Sequence, residues 1–251
     1  TPTAIARCAG EADVMTCVAW CSENGVEPVV RGGGHSYAGY STTTGLLIDL
    51  RDLKSVAVDR AAGTLTVGGG VTIGQVFALL DSGSHVLPGG TCPTVGIGGL
   101  ALGGGIGPNT RWAGLTCDHL RHTRIVTANA EPLDVSSTQH EELFWALRGG
   151  AGGSFGVNTS FTFDLVEVPS GSVTNFAISW RGADAAGLVL RAFQDVMQQA
   201  PPEFGASVVI IPVDPGGSGR RRGIDISLRG HSIGPADDLQ DLIAPLLAQL
   251  V

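Results

Sequence analysis

Between residues 10 and 24 the apolar side chains fall at Val14, Cys17 or Val18, and Cys21. That is the i, i+3/4, i+7 recurrence of a helix burying one face, and Asn24-Gly25 supplies a left-handed stop. A short strand over Pro28–Arg31 runs into Gly32-Gly33-Gly34-His35-Ser36, and further strands are predicted over 45–50, 55–59 and 64–68. Helical period returns over 71–81, where Thr72 and Gln75 are spaced as a capping box, with closure near Gly83. Residues 124–135 read as a hairpin turning at Asn129-Ala130. Thr138 and Glu141 have the spacing of a second capping box, predicting a helix that ends at Arg148-Gly149-Gly150, and 155–165 reads as a strand.

Two stretches break the pattern. Residues 87–107 are crowded with Gly and Pro, which forbid a regular strand over most of their length, yet they carry almost no charge. A glycine-rich loop facing water would be polar, so an uncharged one implies burial against a ligand or another layer. From about residue 170 the glycine runs stop. Strand-like segments at 173–180, 207–213 and 224–228 surround a helix at 183–199, and an amphipathic helix at 235–251 stops with no following element to pack on, as in an incomplete chain. The expected class is α+β, with a first domain at 1–168 and part of a second, antiparallel-sheet domain with helices at 169–251.

Composition narrows the chemistry. Glycine accounts for 38 of 251 residues, about 15% against a usual ~7%, without the three-residue period of collagen. A net charge of −8 and no basic stripe argue against a nucleic-acid partner. The block Arg220-Arg221-Arg222, among Gly, Ser and Pro, reads as a solvated loop. No run of about 18 apolar residues is present, so no membrane partner is expected. The opening Thr1-Pro2, with no Met, leaves the compartment open. Five cysteines make no disulfide framework, and Cys17 and Cys21 read as buried small residues on one helix face rather than metal ligands.

Gly96-Ile97-Gly98-Gly99-Leu100-Ala101 fits G-x-G-x-x-G/A, with Asp118 about 20 residues further on. A dinucleotide site of that type needs a hydrophobic strand entering the loop and a helix leaving it. Here Pro88–Pro93 enters and Gly103–Gly107 leaves, so that reading is set aside. Three uncharged runs, at 32–34, 89–107 and 149–156, can instead converge on one extended ligand, because backbone N–H groups at such turns bind pyrophosphate without a lysine. His35 and Cys92 stand at the edges of two runs. Singly they read as a turn histidine and a buried small side chain; together with the runs they read as ligand contacts.

Five motifs carry a resemblance. They are Arg31-Gly32-Gly33-Gly34-His35-Ser36-Tyr37, Gly89-Gly90-Thr91-Cys92-Pro93-Thr94-Val95-Gly96, Gly103-Gly104-Gly105-Ile106-Gly107, Gly114-Leu115-Thr116-Cys117-Asp118 and Leu143-Phe144-Trp145-Ala146-Leu147-Arg148-Gly149-Gly150. In this order they resemble the FAD-binding domain of berberine bridge enzyme-like oxidases, within the vanillyl-alcohol oxidase / p-cresol methylhydroxylase (PCMH) superfamily. The resemblance covers about residues 4–166. It implies a two-subdomain PCMH-type FAD-binding domain, followed by the beginning of an antiparallel-sheet substrate domain. It also implies FAD bound covalently through His35 to the flavin 8α carbon and through Cys92 to C6. The implied cofactor contacts are Arg31, Gly32, Gly33, Gly34, His35 and Ser36; Gly90, Thr91, Cys92, Val95, Gly96, Gly98 and Gly99; Gly103, Gly105 and Gly107; Cys117 and Asp118; and Gly153, Phe155, Gly156 and Val157. Departures from the family are Leu100 in place of a His of some plant members, Pro108 where many carry an aromatic residue, and Ser154 for the usual Asn.

The implied activity is a flavoprotein oxidase acting on a sugar, a glycosylated natural product or an alkaloid-like alcohol, with O2 as acceptor. No catalytic base is assigned, because His85, His119, His122 and His140 are expected at surface or structural positions. The resemblance places the family's catalytic residues and later substrate-domain strands beyond residue 251. That motivates an alternative, an FAD-bearing fragment or subunit completed by a second polypeptide. A dehydrogenase holding FAD noncovalently is a third reading, but it leaves Cys92 without a role.

Overall fold

A computed structural model describes residues 1–81, 84–150, 152–168, 173–213 and 223–248. The chain forms two compact units, one of 1–107 with 114–168 and one of 108–113 with 169–251. Residues 108–113 lie inside the first domain as drawn from sequence, but they pack with the second unit. Arg111 accounts for this: its guanidinium donates to the carbonyl oxygens of Ala200 (3.0 Å) and Phe204 (2.8 Å).

The first unit opens with β1 (Ala4–Arg7), α1 (Glu11–Asn24), β2 (Pro28–Arg31) and β3 (Leu46–Asp49). These strands form a parallel sheet in the order β1-β3-β2. Helix α1 buries Val14, Val18 and Cys21 and stops at Gly25, whose φ of 63° is the left-handed conformation glycine adopts without strain. Cys8 lies fully buried in the same core, where burial and the neighbouring Cys17 push its thiol up to about 12. These cysteines fill space, and among the described residues no group of three or more His, Cys, Asp or Glu is placed to hold a metal.

An antiparallel sheet follows, built from β4 (Val56–Asp59), β5 (Thr64–Gly68), β7 (Leu120–Val126), β8 (Pro132–Ser136) and β9 (Val157–Asp164), in the order β4-β5-β9-β7-β8. Helices α2 (Ile73–Leu80), α3 (Ile97–Leu102) and α5 (Glu141–Leu147) share its core, where Ile73, Val76, Ile97, Ala101, Phe144 and Leu147 meet Leu65, Val67, Phe161 and Phe163. The pair β6 (His85–Val86) and β10 (Val166–Glu167) completes the unit.

Two local expectations change, and one falls partly outside the described residues. Gln75 Oε1 does accept the Thr72 N–H at the start of α2, but the closure near Gly83 lies outside the described residues. Thr138 caps no helix: its N–H and hydroxyl turn back to Ser136 Oγ, and α5 starts only after His140. The glycine-rich stretch contains α3, despite poor helix propensity, because Ile97 N–H is held by the Val71 carbonyl (2.9 Å) and Ile97, Ala101 and Leu102 are buried.

The second unit contains α4 (Thr110–Ala113), β11 (Val173–Arg181), α6 (Ala183–Gln199), β12 (Phe204–Val213), β13 (Gly223–Ile233) and α7 (Ala236–Ala248). Its sheet is antiparallel, in the order β11-β13-β12. Phe176, Phe204 and Leu228 on one face pack against Ala192, Val196, Leu239, Ile243 and Leu246 of α6 and α7. The arginine block at 220–222 and the end of the last predicted helix lie outside the described residues. Among those residues no helix is long and apolar enough to cross a membrane.

Candidate functional site

Strand β2 ends at Arg31, where a buried carboxylate fixes the chain. Asp49 on β3, 1% exposed, accepts hydrogen bonds from Arg31 Nη2 (2.7 Å), Arg51 Nε (2.9 Å) and the Arg51 N–H (3.1 Å). Burial pushes its carboxyl upward, but the bonds from Arg51 and Arg31 outweigh that and leave it below the ordinary range. From this anchor the chain enters Gly32–Ser36. Among the described residues the N–H groups of Gly33, Gly34, His35 and Ser36 donate to no backbone carbonyl, and these residues are exposed, so the groups are open to a ligand.

The first and second glycine runs touch backbone to backbone. A Cβ on Gly33 would clash with Gly96 N, and one on Gly96 would clash with Gly33 N. Side chains at either position would force the loops apart. Gly96 then opens α3, whose Gly98 lies against the Phe161 ring at 3.2 Å from a built Cβ.

These contacts enclose a cavity of about 420 Å³, within the range of small-molecule sites. All three runs reach it, through Gly32–Gly34, through Gly96, Gly98, Gly99 and Gly103, and through Gly152, Gly153 and Gly156. His35, Ser36, Cys92 and Val95 line it as well. A more open cleft of about 740 Å³ shares Gly32–Gly34 and is edged by Arg31, Arg51 and Lys54. His35 Nε2 lies 2.8 Å from Thr94 Oγ1, and both side chains are exposed, as is Cys92.

Several of the expected contacts fall outside the lining of this cavity. Gly90, Thr91, Gly105, Gly107, Cys117, Asp118, Phe155 and Val157 do not line the cavity. Val157 is in the core with Leu50 and Val126. Gly107 packs hard on the Gly89 carbonyl, while Cys117 N–H and Thr116 N–H staple the loop to the carbonyls of Gly104 and Gly105. Asp118 Oδ2 accepts the Leu115 N–H, Arg148 Nε donates to the Cys117 carbonyl, and burial pushes the Cys117 thiol up. These residues hold the loops in place.

Other residues on the cavity were missed. Gly69 belongs to Gly68-Gly69-Gly70, a fourth uncharged run that was visible in the sequence. Tyr37, Tyr40, Leu100, Leu102 and Phe161 supply apolar wall, and Asn158 lines the same space. Asn158 Nδ2 donates to Thr123 Oγ1 (2.9 Å), while its buried Oδ1 has no partner among the described residues. The histidines without a predicted role sit apart: His122 pairs with Asp134 (3.1 Å) and His140 precedes α5.

The wall fits a flavin dinucleotide. Unbonded N–H groups suit a pyrophosphate, the apolar surface suits flat rings, and an orphan acceptor suits a donor on the ligand. Gly99 and Gly153 leave open space where a Cβ would stand.

Comparison with known proteins agrees. Residues 2–136 match the FAD binding domain family. YgaK of Bacillus subtilis, described as an uncharacterized FAD-linked oxidoreductase, is 36% identical over 251 residues, covering 98% of this chain and 53% of its own. BBE-like 1 of Physcomitrella patens superposes with a TM-score of 0.87 at 32% identity, over 99% of this chain and 53% of that one. A glucooligosaccharide oxidase from Acremonium strictum, described through the roles of its 6-S-cysteinyl, 8α-N1-histidyl FAD, gives 0.85 at 33% identity, over 99% and 50%. The chain spans about half the length of these relatives. Matched by family over more than half its residues and by fold over nearly all of them, the chain belongs to the FAD binding domain family, among the berberine bridge enzyme-like FAD-linked oxidoreductases.

Proposed function

We propose that this chain carries one FAD in the glycine-lined cavity, tethered through His35 and Cys92, and serves an oxidase of sugar or related alcohols. The observation carrying this reading is the convergence of the three glycine runs, with both nucleophilic side chains, on one space. When bound, FAD supplies the two-electron acceptor for alcohol oxidation, with O2 taking up the electrons. The chain's own residues do the holding. Gly32–Ser36 present N–H groups to the pyrophosphate, Val95, Leu100, Leu102 and Phe161 keep water from the wall, and Asn158 Oδ1 accepts from the cofactor. Two covalent bonds, from His35 and Cys92, would keep the bound cofactor from dissociating.

A sugar as substrate is supported by the likeness to the glucooligosaccharide oxidase. The test is anaerobic addition of oligosaccharides, simple alcohols and amines to the yellow protein. Bleaching by at least one oligosaccharide, reversed by air, is expected. Persistent colour with every member of the panel overturns the oxidase reading.

A further inference from the structure

We propose that Thr94 is a positioning residue for covalent attachment: its hydroxyl engages Nε2 of His35, fixes the orientation of the ring and leaves Nδ1 as the nitrogen that bonds the flavin. This rests on the tethered-FAD reading above. A hydroxyl both donates and accepts, so its hydrogen bond to one imidazole nitrogen holds the ring in place in either tautomer and leaves the other nitrogen open. His35 Nε2 stands 2.8 Å from Thr94 Oγ1, while Nδ1 has no protein partner among the described residues. Nε2 is thus occupied by Thr94, and Nδ1 is the nitrogen free to form a bond; in the tautomer with the proton on Nε2, where the hydroxyl oxygen accepts, Nδ1 carries the lone pair that bond needs. Nδ1 is also the N1 atom named in the linkage of the glucooligosaccharide oxidase.

The threonine is well placed to hold this geometry. Its carbonyl would lie 2.6 Å from a Cβ on Gly33, and the Val95 N–H donates to the Cys92 carbonyl (3.1 Å) across it. Thr94 is therefore fixed against the run that carries His35, through the turn that carries Cys92. Sequence reasoning absorbed it into the Cys92 motif without giving it a role.

The chemistry balances. A bond forms between Nδ1 and the 8α carbon, and one C–H bond of that carbon breaks. Its proton, the proton leaving Nε2 and two electrons reduce O2 to hydrogen peroxide. After that loss Nε2 is an acceptor, and the Thr94 hydroxyl can rotate to donate to it. Valine can play neither part, whereas serine can play both.

The test isolates the histidine bond by using the full chain with Cys92→Ala, made in a riboflavin-depleted host and then given FAD in air. Intact mass of the denatured protein is followed with time. Thr94→Val is expected to slow attachment about tenfold, the size of one lost hydrogen bond, and Thr94→Ser to stay within about twofold of the parent. Nitrogen-15 NMR of the flavin-free proteins should show the His35 Nε2 resonance displaced by its hydrogen bond with Thr or Ser present, and that displacement lost with Val. An unchanged attachment rate in Thr94→Val, or an Nε2 resonance that does not respond to Thr94→Val, overturns the role of Thr94. A parent that never gains mass overturns the tethered-FAD reading itself, and the inference falls with it.

Discussion

The cavity wall of the first unit and the helix-covered sheet of the second treat volume in opposite ways. In the second, Phe204 is fully buried and stacks on Phe176 with ring centroids 5.7 Å apart, so side chains fill the interior. In the first, glycines bring backbones within contact at Gly33 and Gly96 and leave open space at Gly99 and Gly153. One unit uses side chains to fill an interior, and the other omits them to keep one open. Substitutions of opposite sense should therefore injure the two regions.

The largest effect is expected in the filled region. Phe204→Ala should cost about 3–5 kcal/mol in denaturant unfolding and leave the flavin content by mass unchanged. Gly96→Ala should cost about 3 kcal/mol, at the upper end of overpacking, and abolish FAD loading, because its Cβ would meet backbone that cannot yield. Equal flavin content in Gly96→Ala and the parent would end the claim that the runs must touch.

The two regions should also separate with pH. Burial lowers the pKa of His231 on β13, so the unfolded state takes a proton the folded ring does not. Its contribution is intact above the ordinary ~6.5 and declines as pH falls below it. Asp49 is lowered despite burial, so its contribution persists down to the ordinary ~3.9 and is lost as pH falls through the lower folded value. Melting temperature against pH should show two steps, the upper removed by His231→Gln and the lower by Asp49→Asn. The smallest effect belongs to Gly99→Ala, in the interior of α3 and facing open space. It should stabilise the flavin-free fold by about 0.5–1 kcal/mol while weakening FAD loading, a change of opposite sign in the two readouts.

How much of this was legible follows from what each feature depends on. Helices α1 and α2 and the β7–β8 hairpin could be read because periodicity, caps and turns are local. Strand β1 could not: four residues become a strand only because Leu46–Asp49 lies beside them. Helix α3 was hidden because burial and the Val71 carbonyl override its glycines. The cavity was legible as runs lacking charge, and Gly68-Gly69-Gly70 carried the same signal unread. Asn158 gave none, since a strand position does not say which neighbour its amide will meet. The loop-stapling bonds at Cys117 and Asp118 gave no signal either, since they depend on which strand ends and turns lie beside them.

The most direct measurement is the intact mass of the denatured protein, taken on the parent, His35→Ala, Cys92→Ala and the double variant. The account predicts a mass gain of one FAD in the parent and in each single variant, and none in the double variant. Release of all yellow colour from the parent by acid, with no mass gain, would contradict it.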